Sequence, residues 1–162
     1  IDIMNISTKR FQLRTLAIKD VTERYLSWFS DTEYIEFSPK RTNMDELIQY
    51  IESRENREDV LFLAIFTDDG QHIGNIKYEP IDLENKNATI GVLIGEREWR
   101  GKGVAIEVVK ACNQYLHKNH GIERIDLEVN KYNKHAMHVY QKIGFQFSGE
   151  AGNGFGMFLN LK

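Results

Sequence analysis

The 162-residue sequence holds a single cysteine, Cys112. One thiol closes no intramolecular disulfide, so a cross-linked secreted scaffold is excluded and a reducing, cytoplasmic location is the expectation. Long apolar runs are missing as well: none approaches the roughly 20 residues that cross a bilayer. The N-terminus also lacks the basic-then-apolar layout of a signal peptide, so no membrane partner is expected. The first five residues do not open with methionine. Blocks of like charge are absent, and 21 Lys+Arg against 24 Asp+Glu leave a formal charge of −3. Nucleic acid is therefore not expected as a partner, because a phosphate-tracking surface needs clustered positive charge. There is no repeat, low-complexity tract or linker. With 41% hydrophobic and 28% charged residues, residues 1–162 are expected to form one soluble domain.

Periodicity divides the chain into short elements. Alternation over Arg10 to Leu16 predicts a first strand. Asp20 with Glu23 has capping-box spacing before a helix over Val21 to Phe29, and Asn43 with Glu46 starts a second helix ending near Glu55. Val60 to Phe66 and Ile73 to Tyr78 read as a hairpin turning at Asp68-Asp69-Gly70. Ala88 to Ile94 is a further strand, in which Gly91 marks a bulge or a close backbone approach. A polar, glycine-bearing turn over Glu96 to Gly103 leads into a long helix whose Val104, Val108, Ala111 and Tyr115 share a face. Ile125 to Val129 is a strand. Asn133 caps a helix carrying Ala136, Val139, Tyr140 and Ile143, and Gly144 stops it. Phe145 to Phe147 and Gly156 to Leu161 close the chain as two strands around Gly152 to Gly154. The order β-α-α-β-β-β-α-β-α-β-β implies a mixed α/β domain, a sheet covered by helices.

The stretch Arg100-Gly101-Lys102-Gly103-Val104-Ala105 carries the strongest chemical signal. Free amides at a helix start attract anions, and glycines let a phosphate approach the backbone, so a pyrophosphate site is one reading. A tight surface turn with a charged tip is the other. The turn is not a Walker A loop, because Gly103 follows Lys102 where a serine or threonine would hold magnesium. It is not a dinucleotide fingerprint either, since Ile106 stands where a third glycine belongs.

Arg100-x-x-Gly103-x-Ala105, between a strand and a long helix, resembles the Gln/Arg-x-x-Gly-x-Gly/Ala acetyl-CoA motif of the GNAT N-acetyltransferases. Leu127-Glu128-Val129, then Asn133, Tyr140 and Ile143-Gly144-Phe145, resembles the strand and helix of that family that end in Y-x-x-x-G-F. The two motifs stand in the family's order and cover about a third of the chain. The stretches Ile73 to Lys77 and Ile90 to Gly95 look most like the bacterial branch that includes ribosomal-protein alanine and amino-sugar acetyltransferases. The proline common between Gly95 and Arg100 in other branches is absent.

The resemblance implies a largely antiparallel twisted sheet of about seven strands flanked by about four helices, with two splayed strands binding acetyl-CoA as co-substrate. Leu93, Ile94 and Gly95 would pair with its pantetheine arm, while Arg100, Gly101, Lys102, Gly103, Val104, Ala105 and Asn133 would complete its site. The acceptor would be a small-molecule or peptide amine, with an amino sugar nucleotide or a protein N-terminus favoured over a polyamine or an antibiotic. Tyr140 is the candidate acid toward the departing thiolate, although it equally fits the apolar face of its helix. Glu79 and Glu128 are candidate bases for the ammonium proton, with a water chain as a third route.

Other residues have blander readings. The pairs His117/His120 and His135/His138 have i,i+3 spacing but no third ligand, so surface histidines and no metal are expected. Cys112 reads as core. Trp28, Phe29, Tyr34 and Phe37 either shape an acceptor pocket or fill the core. A binding module without turnover is the rival from another class, and a homodimer through the closing hairpin is an open possibility.

Overall fold

Alternation along the central strands sets the architecture of the computed structural model, which describes residues 5–30 and 43–162. Among the described residues, eight strands form one sheet: β1 (Ile6–Ser7), β2 (Phe11–Thr15), β3 (Leu61–Thr67), β4 (His72–Asp82), β5 (Asn87–Ile94), β6 (Arg124–Asn130), β7 (Gln146–Ala151) and β8 (Gly154–Asn160). Four α-helices among the described residues accompany them: α1 (Glu23–Ser27), α2 (Met44–Glu52), α3 (Val104–His120) and α4 (Lys134–Ile143). The spatial order is β1-β2-β3-β4-β5-β6-β8-β7, antiparallel throughout except for the parallel pair β5 and β6. The expected seven strands become eight because two residues, Ile6 and Ser7, pair with Leu13 and Gln12. Too short to show periodicity, that strand leaves no pattern in the sequence.

Successive side chains of a strand point to opposite faces. Leu61, Leu63 and Ile65 of β3 therefore join one buried cluster, with Val104, Val108, Val109, Cys112 and Leu116 of α3. Phe62, Ala64 and Phe66 join the other, with Tyr25, Trp28 and Phe29 around α1 and Leu47 and Ile51 of α2. Cys112 is core, as expected, and burial pushes its thiol up to about 12. Tyr78 of β4 donates to Asn113 Oδ1 at 2.5 Å, a buried polar tie between sheet and α3.

Local start signals succeed where their partners are close in sequence. Asn43 accepts from the Glu46 amide at 2.9 Å and opens α2. Asn133 accepts from Ala136 N at 3.0 Å and opens α4, which Gly144 ends at φ +120°. The first helix differs: its cap is Thr22, which accepts from Tyr25 N. Asp20 is instead buried against Arg14, at 2.6 and 2.9 Å, and also accepts from Ala17 N. An ion pair across β2 thus outcompetes the capping role. Gly91 sits in regular register opposite Lys77, so no bulge occurs there.

Gly95 follows β5 and donates to Ile73 O at 2.9 Å. A Cβ on Gly95 would fall 1.9 Å from the Trp28 indole, so only glycine fits. Gly95→Ala is expected to lower stability by about 1–3 kcal/mol through overpacking. Gly91→Ala, whose Cβ meets nothing within 4 Å, should leave stability unchanged or raise it by up to about 1 kcal/mol. Denaturant midpoints of the two variants check this.

Candidate active site

The parallel ladder between β5 and β6 lasts three residue pairs, Asn87 to Thr89 against Arg124 to Asp126. Beyond it, Ile90 to Ile94 stay bonded to β4 while Leu127 to Asn130 stay bonded to β8. The strands therefore splay, and a cavity of about 450 Å³ opens between them. Ile90 to Ile94 line one wall and Glu128 to Asn130 the other.

One end of the cavity is the start of α3. Gly101 and Gly103 take positive φ, +70° and +76°, which lets the chain fold tightly into the helix. The first helical bond runs from Glu107 N to Gly103 O at 3.2 Å. The amides of Val104, Ala105 and Ile106 consequently lack an acceptor within the helix and sit at its positive end. Gly101, Gly103, Val104, Ala105 and Ile106 all line the cavity. This is a backbone cradle of the kind that holds phosphate oxygens.

The turn is braced from outside. Glu107 accepts from Arg10 Nε at 2.7 Å, from Arg10 N at 2.9 Å and from the Thr8 hydroxyl at 2.5 Å. Burial alone would raise the Glu107 pKa, but these hydrogen bonds outweigh it and hold it below the usual value. Arg10 Nη2 also donates to Lys102 O at 3.0 Å. The Lys102 side chain is exposed and lines no part of the cavity. Arg100 reaches back to Ile94 O at 3.0 Å and Gly95 O at 3.1 Å, so its guanidinium fastens the turn to the end of β5. Gly95 faces Trp28 and a separate surface depression, whereas Leu93 and Ile94 line the main cavity.

Tyr140, on α4, lines the cavity and rests edge-on against Phe145 at 5.7 Å between ring centroids. Burial pushes its phenol up to about 12. It is thus a proton-bearing group across the neutral range. Asn133 lines the same wall while capping α4. Glu128 lines the cavity too, is exposed, and has neither hydrogen bond nor ion pair among the described residues. Glu79 does not line it. Its carboxylate meets Arg54 at 2.8 Å, Arg57 at 3.0 Å and Lys77 at 3.4 Å. Burial pushes its pKa up, but these cations prevail and leave it lowered. A carboxylate so held is a poor base, and the structure separates it from the other candidates for that reason.

The cavity has a further part, of which the sequence pointed only to Phe29 as an acceptor-pocket residue. It is lined by Tyr25, Phe29, Tyr50, Phe62, Asn75 and Lys77. Asn75 and Lys77 share one face of β4 at i,i+2, alternating with the buried Ile76 and Tyr78, which is the signal that could have found them. His72 packs among Tyr25, Trp28 and Phe66, and its Nε2 lies 2.7 Å from Asn75 Oδ1. That oxygen can only accept, so Nε2 carries the proton. Burial, the largest effect on His72, lowers its pKa and keeps it neutral. Of the expected acceptor aromatics, Phe29 lines the cavity, Trp28 is core, and Tyr34 and Phe37 lie outside the described residues. His135 and His138 are exposed at the cavity wall, while His117 Nδ1 lies 2.7 Å from Ile122 O. Among the described residues no three His, Cys, Asp or Glu side chains gather as a metal site, and no helix is long and apolar enough to cross a membrane.

Residues 10–146 match the family model described as the acetyltransferase (GNAT) domain. The chain belongs to the GNAT family. Its GNAT relatives include the spermine/spermidine N(1)-acetyltransferase of Bacillus subtilis (strain 168), 39% identical over 72 residues, 43% of this chain and 47% of that protein. The chain thus spans about half the length of that relative. An uncharacterized N-acetyltransferase p20 of Bacillus licheniformis is 29% identical over 151 residues, 88% of this chain and 82% of the relative. Among solved structures, the spermidine N-acetyltransferase of Vibrio cholerae in complex with CoA and spermine superposes with a TM-score of 0.81 at 19% identity. That match covers 93% of this chain and 95% of the other, and it establishes the GNAT fold.

Glu107 ties the turn between β1 and β2 to the first turn of α3, and its lowered pKa gives that tie a pH dependence. The stabilisation is complete above the unfolded carboxyl value of about 4.3 and is lost as pH falls through the lower folded value. Glu107→Gln should therefore melt below the native protein at pH 7, with the difference closing as pH drops below about 4. Thermal unfolding midpoints across that range test it.

Proposed function

We propose that this chain transfers the acetyl group of acetyl-CoA to a primary amine by direct attack in a ternary complex. The supporting observation is a single cavity joining a backbone anion cradle, a splayed strand edge and the Tyr140 phenol. The amides of Val104 to Ile106, with Gly101 and Gly103, fit a pyrophosphate. The free edge of Val92 to Ile94 fits the amide-bearing pantetheine arm, since an extended ligand can bond an open strand edge. Backbone N–H groups of that edge also suit the thioester oxygen as charge builds on it.

In the reaction the amine nitrogen bonds to the thioester carbon, the C–S bond breaks, and one proton leaves the nitrogen while the sulfur leaves as thiolate. Glu128 is the carboxylate placed to take the proton, directly or through water. Tyr140 donates a hydrogen bond to the thiolate. With a phenol near 12 and a thiol near 8.5, full proton transfer from Tyr140 is uphill by about 5 kcal/mol. Tyr140 thus works by stabilising the leaving sulfur, and the product thiol gains its proton from solvent.

Protein N-terminal amines and amino sugar nucleotides are candidate acceptors from the resemblance of Ile73 to Lys77 and Ile90 to Gly95 to the ribosomal-protein and amino-sugar branch. A polyamine acceptor is the second reading, and it draws on the names of the Bacillus and Vibrio relatives.

Two variants test the proposal. Gly103→Asp sets a negative charge at the cradle, at a φ that aspartate tolerates better than most residues, and Gly103→Asn is its neutral control. Calorimetry should show acetyl-CoA affinity falling at least about tenfold for the aspartate variant and clearly less for the asparagine one. Tyr140→Phe should bind acetyl-CoA as the native protein does and lose about 10²-fold in kcat. An unchanged kcat would remove Tyr140 from the reaction, whereas acetyl-CoA binding without turnover of any amine by the native protein would favour a binding module over an enzyme.

A further inference from the structure

Asn75 and Lys77 stand two residues apart on β4, so both project from the same face of the sheet into the same lobe of the cavity. Asn75 is 4% exposed, and its Oδ1 is taken by His72. Its Nδ2 has no partner among the described residues. A buried amide whose oxygen is locked by a neighbour presents its N–H bonds to whatever fills the lobe. Lys77 donates to the Tyr50 hydroxyl and lies 5.0 Å from the centre of the Tyr50 ring. Its contact with Glu79 is long, at 3.4 Å, and that carboxylate is already shared by Arg54 and Arg57. The lysine charge is only partly offset. Across the ladder from Lys77 stands Gly91, where a Cβ would meet nothing within 4 Å, so space beside the ammonium is kept open.

The described residues of this lobe therefore offer donors and a cation between aromatic walls. Glu128, the one carboxylate among the described residues lining the cavity, lies on β6 with the cofactor side. A second ammonium placed beside Lys77 would meet like charge in a site partly shielded from water.

Resting on the acetyl-transfer reading above, we infer that the acceptor is an amine that also carries an anionic oxygen group, carboxylate or phosphate, held by Lys77 and Asn75. The aromatic side chains flank its body, and the amine reaches toward the thioester position.

The test is acetyl transfer, followed as coenzyme A release, to matched amines with and without the anion. Phenylalanine against phenethylamine probes a carboxylate, glucosamine 6-phosphate against glucosamine probes a phosphate, and spermidine represents the polyamines. The expected result is a kcat/KM at least about tenfold higher for the anionic member of one pair than for its neutral partner and for spermidine. The pair that shows it identifies the group. Lys77→Met should erase the preference and Lys77→Glu should reverse it toward spermidine, with acetyl-CoA affinity unchanged in both as proof of folding. A native preference for spermidine, or equal turnover within both pairs, would overturn this inference and leave acetyl transfer standing. The native comparison decides the matter even if a variant fails to fold. No coenzyme A release with any amine would overturn both.

Discussion

Between Thr89 and Ile90 the ladder joining β5 to β6 stops, and the rest of the molecule is arranged around that break. A strand edge left open inside a protein exposes N–H and C=O groups that need partners. Here each strand keeps one satisfied side, β5 with β4 and β6 with β8, and turns its other side to the gap. The break is held open by contacts at its ends. Arg100 binds the last two carbonyls of the β5 segment, and Trp28 fills the space beside Gly95. On the other strand, β6 keeps its full pairing with β8 from Arg124 to Asn130 while it parts from β5 after Asp126.

The helices divide the work around the gap. α3 lies on one face of the sheet and brings its N-terminus to the cavity, held there by Glu107, Arg10 and Thr8. α1 and α2 cover the other face and supply Tyr25 and Tyr50 to the lobe that also holds Asn75 and Lys77. α4 brings Tyr140 to the cavity lining. A cofactor lying in the gap would meet backbone at nearly every contact, whereas an acceptor would meet side chains.

Much of this was legible in the sequence where the cause is local. Gly101 and Gly103 before Val104 announce a helix with an open start, and Asn133, Tyr140 and Gly144 fall at cap, face and stop positions that three-dimensional packing leaves intact. What could not be read depends on partners distant in the chain. Asp20 looked like a helix cap until Arg14 claimed it, and Glu79 looked like a free base until Arg54, Arg57 and Lys77 surrounded it. Of the residues assigned by motif to the cofactor, Gly95 packs against Trp28, and Arg100, which lines the cavity, also binds the end of β5. No motif describes the pocket formed by Asn75 and Lys77, because it takes strands and helices from three parts of the chain to build it.

The αL glycines and uncapped amides at the start of α3 have a consequence for how such a protein can change. Main-chain groups are the same whatever residue carries them, so a donor site made of them survives wide drift in amino-acid identity. The solved Vibrio structure keeps this fold at 19% identity. Residues such as Tyr50, Asn75 and Lys77 have no such insurance, and each substitution there rewrites what the lobe can grip. One half of the cavity is a fixed socket and the other an interchangeable one, which would let a lineage trade acceptors without rebuilding the half proposed for the acetyl donor.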